Sequence, residues 1–376
     1  MKLSFKKTLL IVLPVSMLSV SCKKDKTPEP TPTSSTPTYT VPTAYNFTSV
    51  DFSSSTKRIA MLGEITTYIK TAHTSTATPV LDAQKMKDMY ANLNSQFTID
   101  PTLNSSGFQL KDKTNNTYSL QTDVENSLTE LATVTQTTPT ASNGAAGKLT
   151  SGTSAYIVDA NGIEYKEFVE KGLMAAVFYN QATTILTNIS SYDNSTVTNG
   201  TTAQERAWDE AFGYFGVPVD FPGNTTGLKN WGSYCNSVSN ALDAPNINST
   251  TSINVTIMNA FLKGRAAITN KDNTVRDAQK DIVIKTWEKV AGARFITYAK
   301  QAKANIADDA KRSHLSSECI GFIKAFKYNP SKTITDAQIN TLSGYFGTNM
   351  YQVTTTNIDN AINEMASIFG LDSAKL

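Results

Sequence analysis

Histidine is almost missing from this chain: 376 residues contain two, His73 and His314. That excludes a three-histidine metal site, and no HExxH stretch occurs. Cysteine is nearly as scarce, and three residues (Cys22, Cys235 and Cys319) cannot build a disulfide scaffold. Charged residues make up only 18%, and 34 basic against 32 acidic residues leave a formal charge of +2. A nucleic-acid binder would carry a basic surplus, so no nucleic-acid partner is expected. There is no GxSxG elbow, no Rossmann glycine pattern and no P-loop. Gly144-Ala145-Ala146-Gly147-Lys148 falls short of the full phosphate-loop spacing. Past the first residues no apolar run reaches the roughly 18 residues a spanning helix needs. What is present is 40% hydrophobic content, which supplies a sizeable core and excludes wholesale disorder.

The N-terminus has the form of an export signal. Lys2, Lys6 and Lys7 precede the apolar run Leu9 to Leu18, which leads into Ser19-Val20-Ser21-Cys22. Small residues just before a cysteine look like a lipoprotein cleavage site, with residues 1–21 as signal peptide and Cys22 as the lipidated residue. Several acyl chains on Cys22 would anchor the protein stably to a membrane. Removing residues 1–21 takes three lysines with it and leaves a formal charge of −1. Lys23-Lys24-Asp25-Lys26 resembles the charged tail of Bacteroidetes lipoproteins and points to the outer membrane, on its periplasmic or its exposed face. Residues 22–43 then form the lipid anchor and a Pro/Thr/Ser-rich tether that cannot bury apolar area or continue a helix.

Helical periodicity dominates the rest of the chain. Ile59, Leu62, Ile65 and Ile69 recur at three- and four-residue spacing within 53–70. Further helices are expected over 82–93, 123–133, 163–187, 204–215, 253–268, 275–307, 316–326, 336–346 and 358–369. Residues 94–118 read as loop. Residues 134–155, with Gly144, Gly147 and Gly152, read as a long surface excursion. Sustained period-2 alternation is missing, so few strands are expected.

Two segments echo each other. Glu210-Ala211-Phe212-Gly213-Tyr214-Phe215 matches Glu318-Cys319-Ile320-Gly321-Phe322-Ile323. Upstream, Glu170-Lys171 with Tyr179, Gln181 and Ala182 matches Glu288-Lys289 with Tyr298, Gln301 and Ala302. The expected fold is therefore all-α, two packed helical bundles related by an imperfect internal repeat, over residues 44–250 and 251–376. A glycine inside a helix costs about 1 kcal/mol against alanine, which Gly213 and Gly321 would offset where another helix crosses closely. Glu210 and Glu318, one turn earlier on nearly the same face, would then be partly buried and in need of a partner. With His314 four residues before Glu318, they make the candidate metal ligands Glu210, Glu318 and His314. Such an oxygen-rich site favours calcium or iron over zinc. The plainer alternative is that these glutamates pair with Lys or Arg. Trp208, Asp209, Glu210 and Tyr214 form the densest aromatic and acidic cluster, a candidate pocket for a sugar or cationic ligand; its alternative is bundle core. Cys235 and Cys319 are candidates for a disulfide or for buried filler, and neither resembles an activated nucleophile.

The stretches beginning VPTAYNFTSVDF at Val41, VEKGLMAAVFYNQA at Val169, ERAWDEAFGYFGVPVDF at Glu205 and HLSSECIGFIKAF at His314 resemble the DUF4856 family of Bacteroidetes lipoproteins. The chain is similar, more remotely, to the imelysin-like proteins (peptidase M75), which are exported, all-helical, built from two related bundles and implicated in iron uptake. Their GxHxxE signature is not met here. Ala207 stands three before Glu210 and Leu315 three before Glu318, with His314 one residue out of register. The resemblance implies a cell-envelope binding protein, for a metal or metal complex in nutrient or iron acquisition, with a divalent or ferric ion as cofactor. An outer-membrane transport or surface protein is its expected partner. Two alternatives stand beside it: a structural or protein-interaction lipoprotein, and a metal-dependent peptidase or hydrolase. No catalytic residue is assigned.

Overall fold

The apolar stripe of Ile59, Leu62, Ile65 and Ile69 does form a helix, α1 (Ser53–Lys70), with all four side chains buried. The computed structural model describes residues 38–74, 76 and 79–376. The leader, Cys22 and the tether as far as residue 37 lie outside the described residues. Residues 39–376 form one compact unit, all-α apart from two short antiparallel hairpins.

Local sequence explains where the helices start and stop. α2 (Ala83–Ala91) begins on Asp82, whose carboxylate accepts from the Gln84 and Lys85 amides, and ends on left-handed Asn92. α6 (Ala203–Phe215) opens with a capping box between Thr202 and Glu205 and closes on Gly216 at φ 79°. α11 (Asp336–Phe346) repeats the capping box with Thr335 and Gln338. α3 (Leu120–Thr137) and α10 (Asp309–Lys327) run longer than their periodicity suggests. α10 starts early because Asp308 caps it, accepting from the Ala310 and Lys311 amides. α8 (Ile253–Thr269), α9 (Asn273–Ala304) and α12 (Thr355–Phe369) lie close to expectation.

The expected helix over 163–187 is α4 (Tyr165–Leu173) and α5 (Asn180–Thr187), joined by a π-helical stretch, Met174–Tyr179. The wider π turn leaves carbonyls for outside donors. The Trp231 indole donates to the Met174 carbonyl (3.1 Å), and the Asn115 amide donates to that of Ala176 (2.9 Å). Trp231 belongs to α7 (Asn230–Leu242), which periodicity did not reveal. Its Asn- and Ser-rich sequence has weak helical preference, and burial of Trp231, Cys235 and Val238 holds it.

The expected surface excursion over 134–155 ends in a hairpin instead. β1 (Gly147–Ser151) pairs with β2 (Ser154–Val158), Leu149 opposite Tyr156. The turn falls at Gly152, φ 60°. Residues 94–118 are loop as expected apart from short 3-10 turns, and Glu64 from α1 ties them down by accepting from the Thr98, Ile99 and Asp100 amides. The second hairpin, β3 (Val197–Thr198) with β4 (Thr201–Thr202), lies in the polar stretch before α6. The tether is shorter than expected, because an aromatic and an apolar residue interrupt its Pro/Thr pattern. The Tyr39 hydroxyl donates to Asp272 (3.1 Å), and Val41 packs against the core.

α9 is the central post. Its 32 residues span about 48 Å at helical rise, and it packs against α5, α7, α8, α10 and α12. Trp287 on α9 meets Trp231, Phe215 and Tyr179, with ring centroids 6.0, 4.8 and 5.6 Å away. Side chains from both sides of residue 250 thus join one core cluster. Both glycines of the echoing segments are close crossings. A Cβ on Gly213 would strike Ser55 and Phe52 at the start of α1, and one on Gly321 would strike the Lys171 side chain on α4.

Candidate metal and ion site

The residues that open α4 are crowded with charge: Glu164, Lys166, Glu167, Glu170 and Lys171. Glu164, Glu167 and Lys171 fall three and four apart, on one face of the helix. That face meets α10, where His314, Glu318 and Gly321 repeat the same spacing. Because Gly321 has no side chain, Lys171 passes close over α10 and reaches Glu318 at 3.1 Å. The Glu164 backbone is fixed from α10 as well, its amide donating to Ser317 Oγ (2.9 Å). His73 arrives from the residues just past α1. The β1–β2 hairpin supplies a wall, Tyr156 stacking on the His314 ring at 4.6 Å.

The chain's two histidines therefore converge on one carboxylate. His314 Nδ1 lies 2.6 Å from Glu164 Oε2, and His73 Nδ1 lies 3.3 Å from Glu164 Oε1. The Glu164 side chain is 0% exposed. Glu164, Glu167 and His314 each offer a ligand atom, all within 4.8 Å of one another. Lysine ammonium groups balance part of the acid, among them Lys70, which lines the cavity and acts on Glu170. Lys166 touches Glu167 and lies 3.9 Å from Glu164 and 3.6 Å from Glu170. Lys171 lies 3.1 Å from Glu167 and 3.2 Å from Glu170.

Burial alone would raise Glu164, but the Lys166 ammonium and the His314 imidazole hold it well below the usual carboxylate range. Burial opposes ionisation of Glu170 too, yet Lys171 and Lys166 pull it down to about 2. Desolvation would lower Lys171, and the carboxylates of Glu170 and Glu318 outweigh it, so its ammonium is held far more firmly than usual. Tyr234, against Lys171, is pushed up by burial. The cluster borders a cavity of about 360 Å³. Lys70 is the exposed acid–base group in its lining, and His314 and Glu170 are 22% and 16% exposed.

Of the expected metal ligands, His314 and Glu318 both line this cavity, and Glu210 does not join them. Glu210 lies on α6, half-buried, with Tyr192 and Tyr214 as neighbours in its field. Its place is taken by Glu164 and Glu167. The aromatic and acidic cluster around Trp208 is core. Trp208 is fully buried, its indole donating to the Phe261 carbonyl (3.0 Å) and its ring lying over Gly264. Asp209 accepts from Tyr45 and from Arg265, both at 2.8 Å, and Arg265 also reaches Glu205 at 2.7 Å. Tyr214 is buried with its hydroxyl accepting from Arg58. Trp208, Asp209 and Tyr214 are therefore packed into the core. A second cavity of about 370 Å³, beside Phe52, Ile59, Phe212 and Val217, has neither acid nor imidazole in its lining. Cys235 and Cys319 are free buried thiols; the Cys235 thiol donates to Asn254 and burial pushes both thiols up.

The sequence profile described as "Domain of unknown function (DUF4856)" matches residues 38–372. The chain belongs to the DUF4856 family. The match takes in every element around the Glu164 cavity, from α1 to α10. No curated protein and no solved structure matches this DUF4856 chain.

Proposed function

We propose that this protein is a binding protein of the cell envelope, anchored to the outer membrane through a lipid on Cys22, and that its ligand is a cation or a cation complex taken at the Glu164 cavity. One observation carries the reading. Both histidines of a 376-residue chain meet on one buried, ionised glutamate, Glu164, behind the wall of a cavity that the two imidazoles and a second buried glutamate, Glu167, line. A buried charge is retained where it is paired or where it holds a metal. Four carboxylates (Glu164, Glu167, Glu170 and Glu318) against the ammonium groups of Lys166, Lys171 and Lys70 leave the cluster with one uncompensated negative charge when both imidazoles are neutral. A bound cation compensates it. The export signal and the cysteine that ends it support an envelope location, from which the ligand would pass to a transport or surface protein.

The test is elemental analysis of the full chain, purified in detergent and loaded separately with iron, zinc and calcium. About one metal per chain, lost in a folded Glu164→Gln/His314→Asn variant and kept in Glu210→Gln, is the expected result. No stoichiometric metal in the wild-type protein would overturn the reading.

A further inference from the structure

Resting on that cation site, we propose that its ligand is a first-row transition-metal dication, bound by Glu164, Glu167 and His314 with His73 as a fourth donor, and that Lys166 is the resident cation it displaces. The donor set comes first. Calcium and magnesium take all-oxygen shells, whereas imidazole nitrogen suits iron, zinc, nickel and copper. Here two donors are carboxylates and two are imidazoles. His73 adds an observation separate from the acidic cluster itself. Its side chain is 6% exposed and lines the cavity; Nδ1 faces Glu164 Oε1 at 3.3 Å, and Nε2 has no hydrogen-bond partner. A buried imidazole nitrogen left unpaired forgoes a hydrogen bond, which a metal bond would recover.

Lys166 occupies the oxygens the metal needs. Its ammonium touches Glu167 Oε1 and faces Glu164 Oε1 at 3.9 Å. Two cations cannot share those oxygens, so the metal's entry requires the ammonium to leave. Lys171 contacts the other Glu167 oxygen, Oε2, at 3.1 Å, and Glu318 from α10 and Glu170 keep it in place. The site thus carries its own competitor: without metal, Lys166 neutralises the crowded carboxylates at the start of α4. With metal, Lys166 moves toward the mouth of the cavity.

Cobalt(II) is the probe, titrated into the metal-free full chain in detergent and followed by visible absorption and calorimetry. Wild type is expected to bind one cobalt with nitrogen-ligand absorption, and tenfold excess calcium to leave it bound. Lys166→Met should bind at least tenfold more tightly, and Lys166→Arg no more tightly than wild type. His73→Asn should bind at least tenfold more weakly. On unmodified protein, acetylation of Lys166 read by mass spectrometry should speed up at least threefold when cobalt is bound, a readout that stands even where Lys166→Met does not fold. Cobalt binding with neither a gain in Lys166→Met nor faster acetylation would overturn the displacement while leaving the cation site intact. Displacement of cobalt by calcium, with His73→Asn unchanged, would overturn the metal class. No cobalt on any folded variant would overturn this inference together with the reading it rests on.

Discussion

Single glycines set the distances on which the rest depends. Gly321 lets Lys171 cross α10 and meet Glu318, and a Cβ there would run into the Lys171 side chain. Gly344, inside α11, has nothing within 4 Å of the same position. The two substitutions to alanine should therefore differ in sign. Gly321→Ala overpacks a helix crossing and is expected to cost about 1–3 kcal/mol. Gly344→Ala relieves backbone entropy in a helix and should gain roughly 0.5–1 kcal/mol. Paired urea denaturation curves measure both, and equal effects would refute the close crossing. Asp209 and Arg265 show the same economy in the core. Each is spent on the other and on Tyr45 and Glu205, and removing one partner of such a buried pair typically costs about 3–5 kcal/mol.

Among the elements, α7 depends most on its neighbours. Three of its thirteen residues are Asn and three are Ser, types that compete with helical hydrogen bonding through their own side chains. Trp231 compensates, packing on Tyr179, Trp287 and Phe322 and donating into the π-helical turn. Trp231→Ala should cost about 3–5 kcal/mol. It should also raise amide hydrogen exchange selectively in α7 and around Met174, measured by mass spectrometry against α9 as internal reference. Uniform exchange across the molecule would argue against a local role. The charged start of α4 is the other telling element. Five charged residues in eight, opening an otherwise apolar helix, were a visible sign of a buried ionic face. Glu170 and Lys171 stood out only as part of the echo with Glu288 and Lys289. Helical spacing alone shows which face Glu164 and Glu167 occupy. It does not show that α10 and the end of α1 close over them.

At the scale of the whole molecule, the ionic cluster ties together α4, α10 and the residues after α1, so its protonation state bears on global stability. Burial raises Glu170 and the lysines more than reverse this, placing it at about 2 against an ordinary 4.5; Glu164 shifts the same way. A carboxyl whose folded value is lowered stabilises the fold fully above the ordinary value and loses that contribution as pH falls through the folded one. The melting temperature of metal-free protein should therefore hold down to about pH 5 and drop steeply between about pH 4.5 and 2. Glu170→Gln should make that drop shallower. A melting temperature indifferent to pH across this window would contradict the assignment.

Spacing along the chain was enough for the helical class, since amphipathic periodicity and capping residues are local: α1 and α11 fall where their apolar stripes and caps put them. The candidate disulfide and the hairpin needed distances across the fold. Cys235 and Cys319 have separate buried environments, and β1–β2 is held partly through a turn glycine and contacts with α10. The site was half legible. Rarity singled out His314, and the helix offset added Glu318. Glu210 was carried in by the echo of its segment, which says nothing about what faces it. Glu164, Glu167 and His73 join the site through the packing of α4 against α10 and the return of the chain after α1. Pairings of that kind join residues up to 241 positions apart, His73 and His314, and are set by which faces can be buried together, a property of the assembled core and not of any one segment.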